Sequence, residues 1–347
     1  MKNNRLLYIL IIILGIWCTI LSTQIVDSSL PNDSIAINQY EVDGFSTDFT
    51  KVADELKDKV VTINADGSLL SGFVYKQEGE DVYVLSAYHG LSNVKNISVR
   101  FGSSYVVQGE LVGHDLFTDL ALVRIKTPYE IAPVDLGDSS LLKQGEFVIA
   151  IGTPLSLDYE GSIKLSMVAK NNLQIENIIQ TDENYYDYFL NVIEISDALA
   201  QGYSGSPLIN MGGEVVGMVT MSYQNAVSFA LSINEIKMVA DTLLENQTPN
   251  RRNLDVKGTF LSQMHNYEKA NLNISLDTLN GLYVERLKED GIAFKAGVRQ
   301  GDVITKIDEI QISDLNSYLN ALYFESEVSV IEYMRNGELI TAVLDND

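Results

Sequence analysis

The chain has 347 residues, which is longer than one hydrophobic core normally supports, so we expect two folded domains with additional segments. Its hydrophobic content of 46% and charged content of 20% are ordinary for globular proteins and exclude a largely disordered or fibrous chain. The net charge of -23 would repel polyanions, so we expect no nucleic-acid partner.

The N-terminal segment, residues 1–26, has the pattern of a membrane anchor. Lys2 and Arg5 precede an apolar run, and residues 6–26 would span about 31 Å as a helix, which is enough to cross a bilayer. No Lys or Arg follows before Lys51, so the positive-inside rule predicts that the bulk of the chain lies outside the cytoplasm. We therefore expect a single-pass membrane protein whose folded part is extracytoplasmic.

Two other interpretations of this segment stay open. A cleaved signal peptide would need small residues before a cleavage site near Ser22, where the chain has Ile20 and Leu21 instead. Cys18 is a conceivable lipid attachment site, but the bulky Trp17 precedes it where lipoprotein signals have a small residue. Since Cys18 is the only cysteine, the folded part has neither a disulfide framework nor a Cys-based metal site.

The next segments are a spacer and a strand-rich domain. Residues 27–50 are polar and weakly periodic, which is typical of a spacer between a membrane and a domain. Residues 51–246 contain many short apolar runs separated by Gly, Asn and Asp, among them Val82–Leu85, Leu120–Ile125 and Phe147–Ile151. The apolar spacing in Asn234–Glu245 predicts an amphipathic helix that closes this domain. Residues 247–255 have the composition of a linker.

The remaining residues, 256–347, mix short strands with a helix. Leu315, Leu319 and Leu322 share one face of a predicted helix. The dipeptide Asn336-Gly337 joins two strand-like runs and predicts a hairpin turn. We therefore expect a small domain of mixed α and β structure after the strand-rich one.

The strongest local signal is the hexapeptide Gly202–Pro207, in which glycines flank Ser204. Such a string is expected by chance in fewer than about one chain in a hundred of this length. Small residues let backbone N–H groups approach a developing oxyanion while the serine oxygen attacks a carbonyl carbon. The motif therefore predicts a nucleophilic serine, and a surface turn is the alternative.

A nucleophilic serine needs a base, and the chain has three histidines, His89, His114 and His265. His89 follows a strand-like run, so its side chain can reach a cleft from a strand end. Asp119 opens the run that begins at Leu120, where its carboxylate can orient an imidazole. The chain order His, Asp, Ser is that of chymotrypsin. Taken alone, His89 and Asp119 have structural alternatives, namely a partly buried histidine and a cap of a strand or turn.

These residues lie in sequence blocks that resemble the HtrA/Deg family of serine proteases. In the first domain the blocks are Leu85–His89, Gly113–Ala121, Val148–Pro154, Gly202–Leu208, Gly213–Met218 and Ser228–Ile233. In the second domain the blocks Gly281–Tyr283 and Ala293–Ile304 resemble the PDZ domain of that family. The resemblance extends from about residue 55 to residue 345, and the arrangement of anchor, protease domain and one PDZ domain is similar to its membrane-bound members.

The resemblance implies a mainly β fold, in which a transmembrane helix precedes a chymotrypsin-like double β-barrel and a small α+β PDZ domain. It implies that Ser204 is the nucleophile, that His89 is the general base and then the general acid, and that Asp119 orients the imidazole. It also places the oxyanion hole at the N–H groups of Gly202 and Ser204. No cofactor and no metal are implied.

The resemblance further implies two peptide-binding regions. The first specificity pocket of the protease is expected to be lined by Ala200, Gln201, Met218, Val219, Thr220 and Met221. In the PDZ domain, N–H groups would receive the terminal carboxylate of a peptide that adds a strand to the sheet edge. This carboxylate-binding loop is expected at Gly258, Thr259, Phe260 and Leu261. The alternative is that the PDZ domain only packs against the protease domain and restrains it.

Several residues depart from the family pattern. Ser206 stands where a glycine is usual, and it would be strained if that position needs positive φ. Tyr203 replaces a common asparagine, and Leu261 stands where the PDZ loop usually has a glycine. The segment between Asp197 and Ser204 is one residue shorter than in many members. These differences predict a nucleophile loop whose oxyanion hole needs activation.

The sequence therefore predicts a serine endopeptidase that cleaves misfolded or regulatory proteins at the outer face of a bacterial cell membrane. The resemblance implies a homotrimer that is regulated by C-terminal peptides at the PDZ domain. The acidic stretch Asp182–Tyr188 lies where the family senses the PDZ domain or a neighbouring subunit, and a solvated loop is the alternative. A catalytically silent peptide-binding chaperone or sensor and a serine esterase are the alternative functions; the complete triad argues against the first and the triad order against the second.

Overall fold

The structure is a computed structural model of the chain. It describes Leu14 and residues 49–102, 104–180, 185–223, 227–246, 249, 251–323 and 329–344. The segment Ser46–Asp347 forms one compact unit. In the part of the chain that the structure describes, no helix is long and apolar enough to cross a membrane. The predicted anchor and spacer lie outside the described residues, apart from Leu14 and residues 49–50.

The first domain starts with a short helix and a closed six-stranded barrel. Helix α1, Phe49–Leu56, buries Val52 and Leu56. The strands are β1 Val60–Ala65, β2 Ser68–Glu78, β3 Asp81–Ala87, β4 Ile97–Phe101, β5 Tyr105–Asp115 and β6 Leu120–Lys126. They pair antiparallel in the order β1-β2-β3-β6-β5-β4, and β4 closes the barrel on β1. Closure leaves no unpaired edge, and β-branched side chains fill the interior, among them Val61, Ile63, Val84, Val99 and Val123.

A second six-stranded barrel follows. Its strands are β7 Phe147–Gly152, β8 Ser162–Gln180, β9 Tyr185–Ile195, β10 Pro207–Asn210, β11 Val215–Tyr223 and β12 Val227–Ser232. They pair in the order β10-β11-β12-β9-β8-β7, and β10 also pairs with β7. Single-turn 3-10 helices connect strands at Tyr88–Gly90, Ser139–Leu141 and Leu157–Tyr159. The strand-rich prediction for this part of the chain is confirmed.

Helix α2, Ile233–Asn246, follows the second barrel and contacts strands of both barrels. Its side chains Ile236, Val239, Ala240 and Leu243 are fully buried in the core between the barrels. This is the face that the apolar spacing predicted, because residues three and four apart lie on one side of a helix. The predicted closing helix is therefore confirmed.

The C-terminal sheet contains β13 Val256–Phe260, β14 Leu282–Leu287, β15 Val303–Ile307, β16 Ile310–Gln311, β17 Ser329–Arg335 and β18 Glu338–Leu344. Its order is β13-β14-β15-β17-β18, with β16 paired to β15, so β13 is an edge strand. Three helices cover the sheet, namely α3 Asn266–Asn271, α4 Ile292–Lys295 and α5 Leu315–Tyr323, and Leu261–Gln263 is a 3-10 turn. A separate core forms around residues such as Leu282, Val284, Ile304 and Leu319.

Two details of this domain match the sequence analysis. Leu315 and Leu319 lie in its core on one face of α5. Asn336 and Gly337 both have positive φ, of 51° and 84°, in the turn that joins β17 to β18. Asn and Gly adopt such angles more readily than other residues, which explains the turn. The prediction of a mainly β chain with a double barrel and a small mixed domain is confirmed, whereas the predicted transmembrane helix lies outside the described residues.

Candidate active site

The pairing of β3 with β6 brings His89 and Asp119 together. In this register Ala87, the last residue of β3, lies opposite Leu120, the first residue of β6. His89 follows β3 in the 3-10 turn Tyr88–Gly90, and Asp119 immediately precedes β6. Both side chains therefore belong to the same end of the first barrel.

Asp119 holds His89 through two hydrogen bonds. Nδ1 of His89 lies 2.7 Å from Oδ2 of Asp119, and the backbone N–H of His89 donates to Oδ1 at 2.7 Å. Because Nδ1 donates to the carboxylate, Nε2 is left to accept a proton. The hydrogen bond to Asp119 raises the pKa of His89 above its usual value of 6.5, although burial acts in the opposite direction.

A third hydrogen bond to Asp119 comes from the second barrel. Thr220 in β11 donates from Oγ1 to Oδ2 of Asp119 at 2.8 Å. Asp119 has a φ of 59°, a left-handed conformation that Asp tolerates better than most residues. Its side chain is 16% exposed, whereas that of His89 is 52% exposed. The carboxylate is thus fixed between the two barrels while the imidazole remains open to a substrate.

Ser204 lies in a tight loop that leads into β10. Gly202 and Gly205 have φ angles of 101° and 84°, which L-residues with a Cβ rarely adopt. Space is equally restricted: a Cβ on Gly202 would lie 2.2 Å from the carbonyl oxygen of Thr153, and a Cβ on Gly205 would lie 2.1 Å from that of Ser71. Conformation and close backbone approach therefore both require the two glycines of the motif.

Ser71, in β2 of the first barrel, fixes this loop from the other barrel. Its Oγ donates to the carbonyl oxygen of Gly202 at 2.8 Å and accepts from the N–H of Thr153 at 2.9 Å. Its backbone N–H donates to the carbonyl oxygen of Ser204 at 2.9 Å. The sequence analysis missed Ser71, because a serine 131 residues before Gly202 carries no local signal of this contact.

The predicted oxyanion donors are the N–H groups of Gly202 and Ser204. Within the described residues neither group donates a hydrogen bond, whereas both carbonyl oxygens are occupied by Ser71. Two unoccupied N–H groups beside a nucleophile are what a developing oxyanion requires. No hydrogen bond joins Ser204 to His89 within the same residues, and such bonds often tighten only when substrate binds.

The loop nevertheless lies directly against the strand end that carries His89. A Cβ on Gly205 would be 2.6 Å from Oγ of Ser86 and 3.0 Å from the backbone nitrogen of Ala87. Ser86 Oγ in turn donates to the carbonyl oxygen of Ser71 at 2.7 Å. The structure thus brings the nucleophile loop and the His89–Asp119 pair to the same junction between the barrels.

The two unusual residues of the motif are accommodated differently. Ser206 does not have positive φ, so the strain expected of a non-glycine residue there is absent. Its side chain is fully buried, and its Oγ has no hydrogen-bond partner among the described residues. Tyr203 packs in the core of the second barrel and donates from its hydroxyl to the carbonyl oxygen of Ser162 at 3.4 Å. Burial raises the pKa of Tyr203.

Two of the predicted pocket residues are at the surface. Ala200 and Gln201 are exposed immediately before the nucleophile loop. The carbonyl oxygen of Gln201 accepts from the N–H of Leu155 at 2.9 Å, and the Leu155 side chain is 70% exposed. Ala200 and Gln201 are thus accessible beside the nucleophile loop, and their place in the specificity pocket stays a prediction.

Two residues of the strand after the loop do not supply pocket side chains as predicted. Met218 is buried in the core between the barrels and Val219 in the core of the second barrel, so the prediction that their side chains line a pocket is wrong. From Val215 to Thr220 both faces of β11 are covered, because this part of the strand lies between a barrel interior and the barrel interface. Thr220 binds Asp119 instead. The side chain of Met221 lies outside the described residues.

The predicted carboxylate-binding loop is largely strand and core. Gly258, Thr259 and Phe260 belong to β13 and pair with β14. Leu261 follows, and its N–H donates to the carbonyl oxygen of Gly281 at 2.9 Å. Phe260 is buried in the domain core, and Leu261 is fully buried. The expectation that the N–H of Leu261 receives a carboxylate is therefore wrong, since that group already donates to Gly281 and the Leu261 side chain is fully buried.

Gly258 differs, because its N–H points to the free edge of β13. It donates to Oε1 of Gln174 in β8 at 2.8 Å, and Gln174 is nearly buried. The PDZ-like edge strand and the β8–β9 hairpin are thus in direct contact. The sequence analysis did not predict Gln174, and the neighbouring stretch Asp182–Tyr188 has side chains outside the described residues.

The other two histidines have structural roles. The ring of His114 stacks on Tyr88 with centroids 4.1 Å apart, and the ring of His265 stacks on Tyr267 at 5.3 Å. In the part of the chain that the structure describes, no group of three or more His, Cys, Asp or Glu residues is placed to hold a metal ion.

Comparison with known families divides the chain in two. Residues 70–218 match the trypsin-like peptidase domain, and residues 256–345 match the PDZ domain. The first match contains His89, Asp119 and Ser204, and the second contains the whole C-terminal sheet.

Curated relatives extend the similarity over most of the chain. A "Serine protease HtrA-like" protein of Staphylococcus epidermidis (strain ATCC 35984) is 28% identical over 94% of this chain and 60% of its own length. The "Serine protease Do-like HtrB" of Bacillus subtilis (strain 168) is 29% identical over 78% of this chain and 60% of its own length. This chain thus spans about 60% of the length of these relatives.

Solved structures share the fold. The HtrA-type protease AlgW with a tripeptide aligns with a TM-score of 0.62 and 23% identity over 85% of this chain and 95% of that chain. AlgW with a decapeptide aligns with a TM-score of 0.56 and 20% identity over 85% and 96% of the two chains. The two domain matches and the similarity to curated relatives over nearly the whole chain agree with each other. The chain therefore has a trypsin-like peptidase domain followed by one PDZ domain, and over nearly its whole length it is similar to HtrA-like serine proteases.

Proposed function

We propose that the chain is a serine endopeptidase of the HtrA type, with Ser204, His89 and Asp119 as its catalytic triad. The observation that carries this proposal is the carboxylate of Asp119, which binds Nδ1 of His89 beside the glycine-flanked Ser204 loop. Ala200 and Gln201 border the substrate site, and no resident cofactor is needed for this chemistry.

The proposed reaction is acyl transfer to Ser204. Nε2 of His89 takes the proton of the Ser204 hydroxyl as its Oγ attacks the scissile carbonyl carbon, and the oxyanion binds the N–H groups of Gly202 and Ser204. The imidazolium then gives that proton to the leaving amine as the peptide C–N bond breaks. Water, deprotonated by His89, hydrolyses the acyl ester and restores Ser204. Asp119 keeps the imidazole in the tautomer that these steps require.

We further propose that the PDZ domain regulates this activity by binding C-terminal peptides of protein substrates. The edge strand β13 offers backbone groups to an added strand, and the hydrogen bond between Gly258 and Gln174 links that edge to the β8–β9 hairpin. A peptide that pairs with Gly258 has to displace Gln174. We expect Gln174→Ala to increase the affinity of a peptide for this edge, which a peptide titration measures. The rate of substrate cleavage should change as well.

The proposed setting is the outer face of a bacterial membrane, with misfolded or regulatory proteins as substrates in protein quality control and stress response. Lys2, Arg5 and the apolar run that follows support a single-pass anchor. A homotrimer is proposed from the resemblance to the HtrA family. Cell fractionation with external protease digestion tests the location, and light scattering of the purified protein tests the subunit number.

Casein cleavage by the purified full chain, with Ser204→Ala as control, tests the proposed activity. We expect cleavage of internal peptide bonds and covalent labelling of Ser204 by a fluorophosphonate, both lost in the variant. Labelling with hydrolysis of simple esters alone would instead indicate an esterase. Binding of unfolded protein without labelling or cleavage would support the alternative function, a catalytically silent chaperone or sensor on the same fold.

A further inference from the structure

A buried charge cluster lies behind the candidate triad, outside the residues assigned to catalysis. Nη1 of Arg251 lies 3.7 Å from Oδ2 of Asp115 and 3.4 Å from Oε1 of Glu235. It also donates to the hydroxyl of Tyr323 at 3.1 Å. The Arg251 side chain is 12% exposed and both carboxylate side chains are 5% exposed. One guanidinium therefore compensates two buried carboxylates, which would be costly to leave without a cation.

The four members of this cluster come from different parts of the fold. Arg251 lies in the linker between α2 and β13, and Glu235 lies in the first turn of α2. Asp115 ends β5 of the first barrel, whereas Tyr323 ends α5 of the PDZ domain. Tyr323 also packs against the cores of both domains. Arg251 is thus the point where linker, PDZ domain and protease domain meet.

Asp115 connects this cluster to the candidate triad. It accepts hydrogen bonds from the N–H of Phe117 at 3.3 Å, from the N–H of Thr118 at 3.0 Å and from Oγ1 of Thr118 at 2.6 Å. These bonds close the turn that ends at Asp119. The guanidinium of Arg251 also lies over the ring of Phe117, 4.7 Å from its centroid. Arg251 therefore contacts two residues of the turn from which the Asp119 carboxylate reaches His89.

We propose that Arg251 is a positioning residue for the triad, which couples the docked PDZ domain to the turn that carries Asp119. This inference rests on the proposed peptidase function and extends it with a physical connection between the domains. When the PDZ domain moves away and withdraws Tyr323, Arg251 loses a partner and its hold on Asp115 weakens. The turn then loosens, and Asp119 orients His89 less well.

The adjacent arginine provides a matched control. The side chain of Arg252 forms an ion pair with Asp308, and its backbone N–H donates to the carbonyl oxygen of Leu322 at 3.0 Å. Among the described residues, its contacts all lie within the PDZ domain. Both arginines are buried in the same linker, but only Arg251 contacts the turn before Asp119.

The charges that face Glu235 explain why Arg251 is needed. The titratable groups that face Glu235 are Arg251, Asp115 and the hydroxyls of Tyr318 and Tyr323. Oε2 of Glu235 has no hydrogen-bond partner among the described residues, and burial raises the pKa of this carboxyl group to about 7. Arg251 lowers this pKa, so without Arg251 the carboxyl group of Glu235 would hold its proton more strongly, and the Asp115 carboxylate that closes the turn would lose its buried cation.

The test is the titration of His89 by NMR in the purified full chain, since only three histidines have to be resolved. We expect Arg251→Met to lower the pKa of His89 by about 0.5 unit or more, because the bond to Asp119 weakens. Arg251→Lys should give a smaller shift in the same direction, and Arg252→Met should give none. Thermal unfolding identifies variants that do not fold. If Arg251→Met does not fold, the double variant Arg251→Met with Glu235→Gln is titrated in its place.

Turnover provides the second readout. With a peptide substrate, Arg251→Met should lower kcat about tenfold and change KM less than twofold, because orientation of His89 is lost rather than substrate binding. An unchanged His89 titration in folded Arg251→Met protein would overturn the inference, and so would an equal shift in Arg252→Met. The titration does not depend on hydrolysis, so a wild-type chain that cleaves nothing would refute the proposed function and leave this test valid.

Discussion

The Oγ of Ser71 donates a hydrogen bond to the carbonyl oxygen of Gly202, 2.8 Å away, and thereby joins the first barrel to the nucleophile loop of the second. This contact keeps the Gly202 carbonyl turned towards β2, and it leaves the N–H groups of the loop without partners among the described residues. We expect Ser71→Ala to lower kcat about tenfold, since a buried carbonyl and the N–H of Thr153 lose their partner. The rate of fluorophosphonate labelling of Ser204 is the measurement, and a wild-type rate would contradict this role.

Ser206 is the matched control for that substitution. It is as buried as Ser71, but its Oγ has no partner among the described residues. We expect Ser206→Ala to raise the free energy of unfolding by about 1 kcal/mol, because an unsatisfied hydroxyl is removed and no hydrogen bond is lost. Urea denaturation measures this change, and kcat should stay within about twofold of wild type. A loss of stability would reveal a bonded hydroxyl.

The pH dependence of cleavage should report on His89. The neutral imidazole is the active form, so kcat/KM rises as pH increases through the His89 pKa, which the bond to Asp119 places above 6.5. Asp119→Asn removes this stabilisation of the imidazolium, and the acid limb should move to lower pH. It should also reduce kcat about 10⁴-fold, as in the chymotrypsin triad, through the wrong tautomer. An unmoved acid limb would mean that another group titrates.

Thr220 separates a positioning role from a pocket role. Thr220→Val keeps the volume but removes the donor to Oδ2 of Asp119. We expect kcat to fall about tenfold, which corresponds to one hydrogen bond to a charged group. The preferred residue before the cleavage site should not change in a peptide library. A changed preference at unchanged kcat would restore Thr220 to the specificity pocket.

Glu235 should make the stability of the wild-type chain depend on pH. Its pKa is raised from 4.5 to about 7, so the folded state binds more protons than the unfolded state in this window. Stability is therefore highest below about pH 4.5 and decreases as pH rises to about 7, by on the order of 3 kcal/mol from this group. Glu235→Gln should remove this slope. Urea titrations at several pH values measure it, and an identical slope in the variant would refute the assignment.

The sequence alone predicted the features that depend on local pattern. The closing helix followed from the spacing of Ile236, Val239 and Leu243, and the hairpin followed from Asn336-Gly337. The glycine-flanked Ser204 and the strand ends at His89 and Asp119 could also be recognised, because each is a short motif or adjoins a run of apolar residues.

Contacts between distant segments could not be predicted in the same way. Contacts with other barrels or domains are made by Ser71, Gln174 and Arg251. The sequence around each of these residues does not indicate which distant residue is its partner. Met218 and Val219 were assigned to a pocket because strand periodicity does not tell which faces of a strand are covered. Both faces of β11 are buried from Val215 to Thr220, and that depends on how two barrels pack.

The bond between Ser71 and Gly202 also has a consequence for biosynthesis. Its two residues are separated by 131 positions, so the donor leaves the ribosome long before its acceptor has been made. Chains generally fold from the N-terminus during synthesis, and the first barrel can therefore form while the nucleophile loop still has no fixed geometry. The nucleophile loop would then take its geometry only after the second barrel has docked, so an unfinished chain that lacks this barrel has no assembled site.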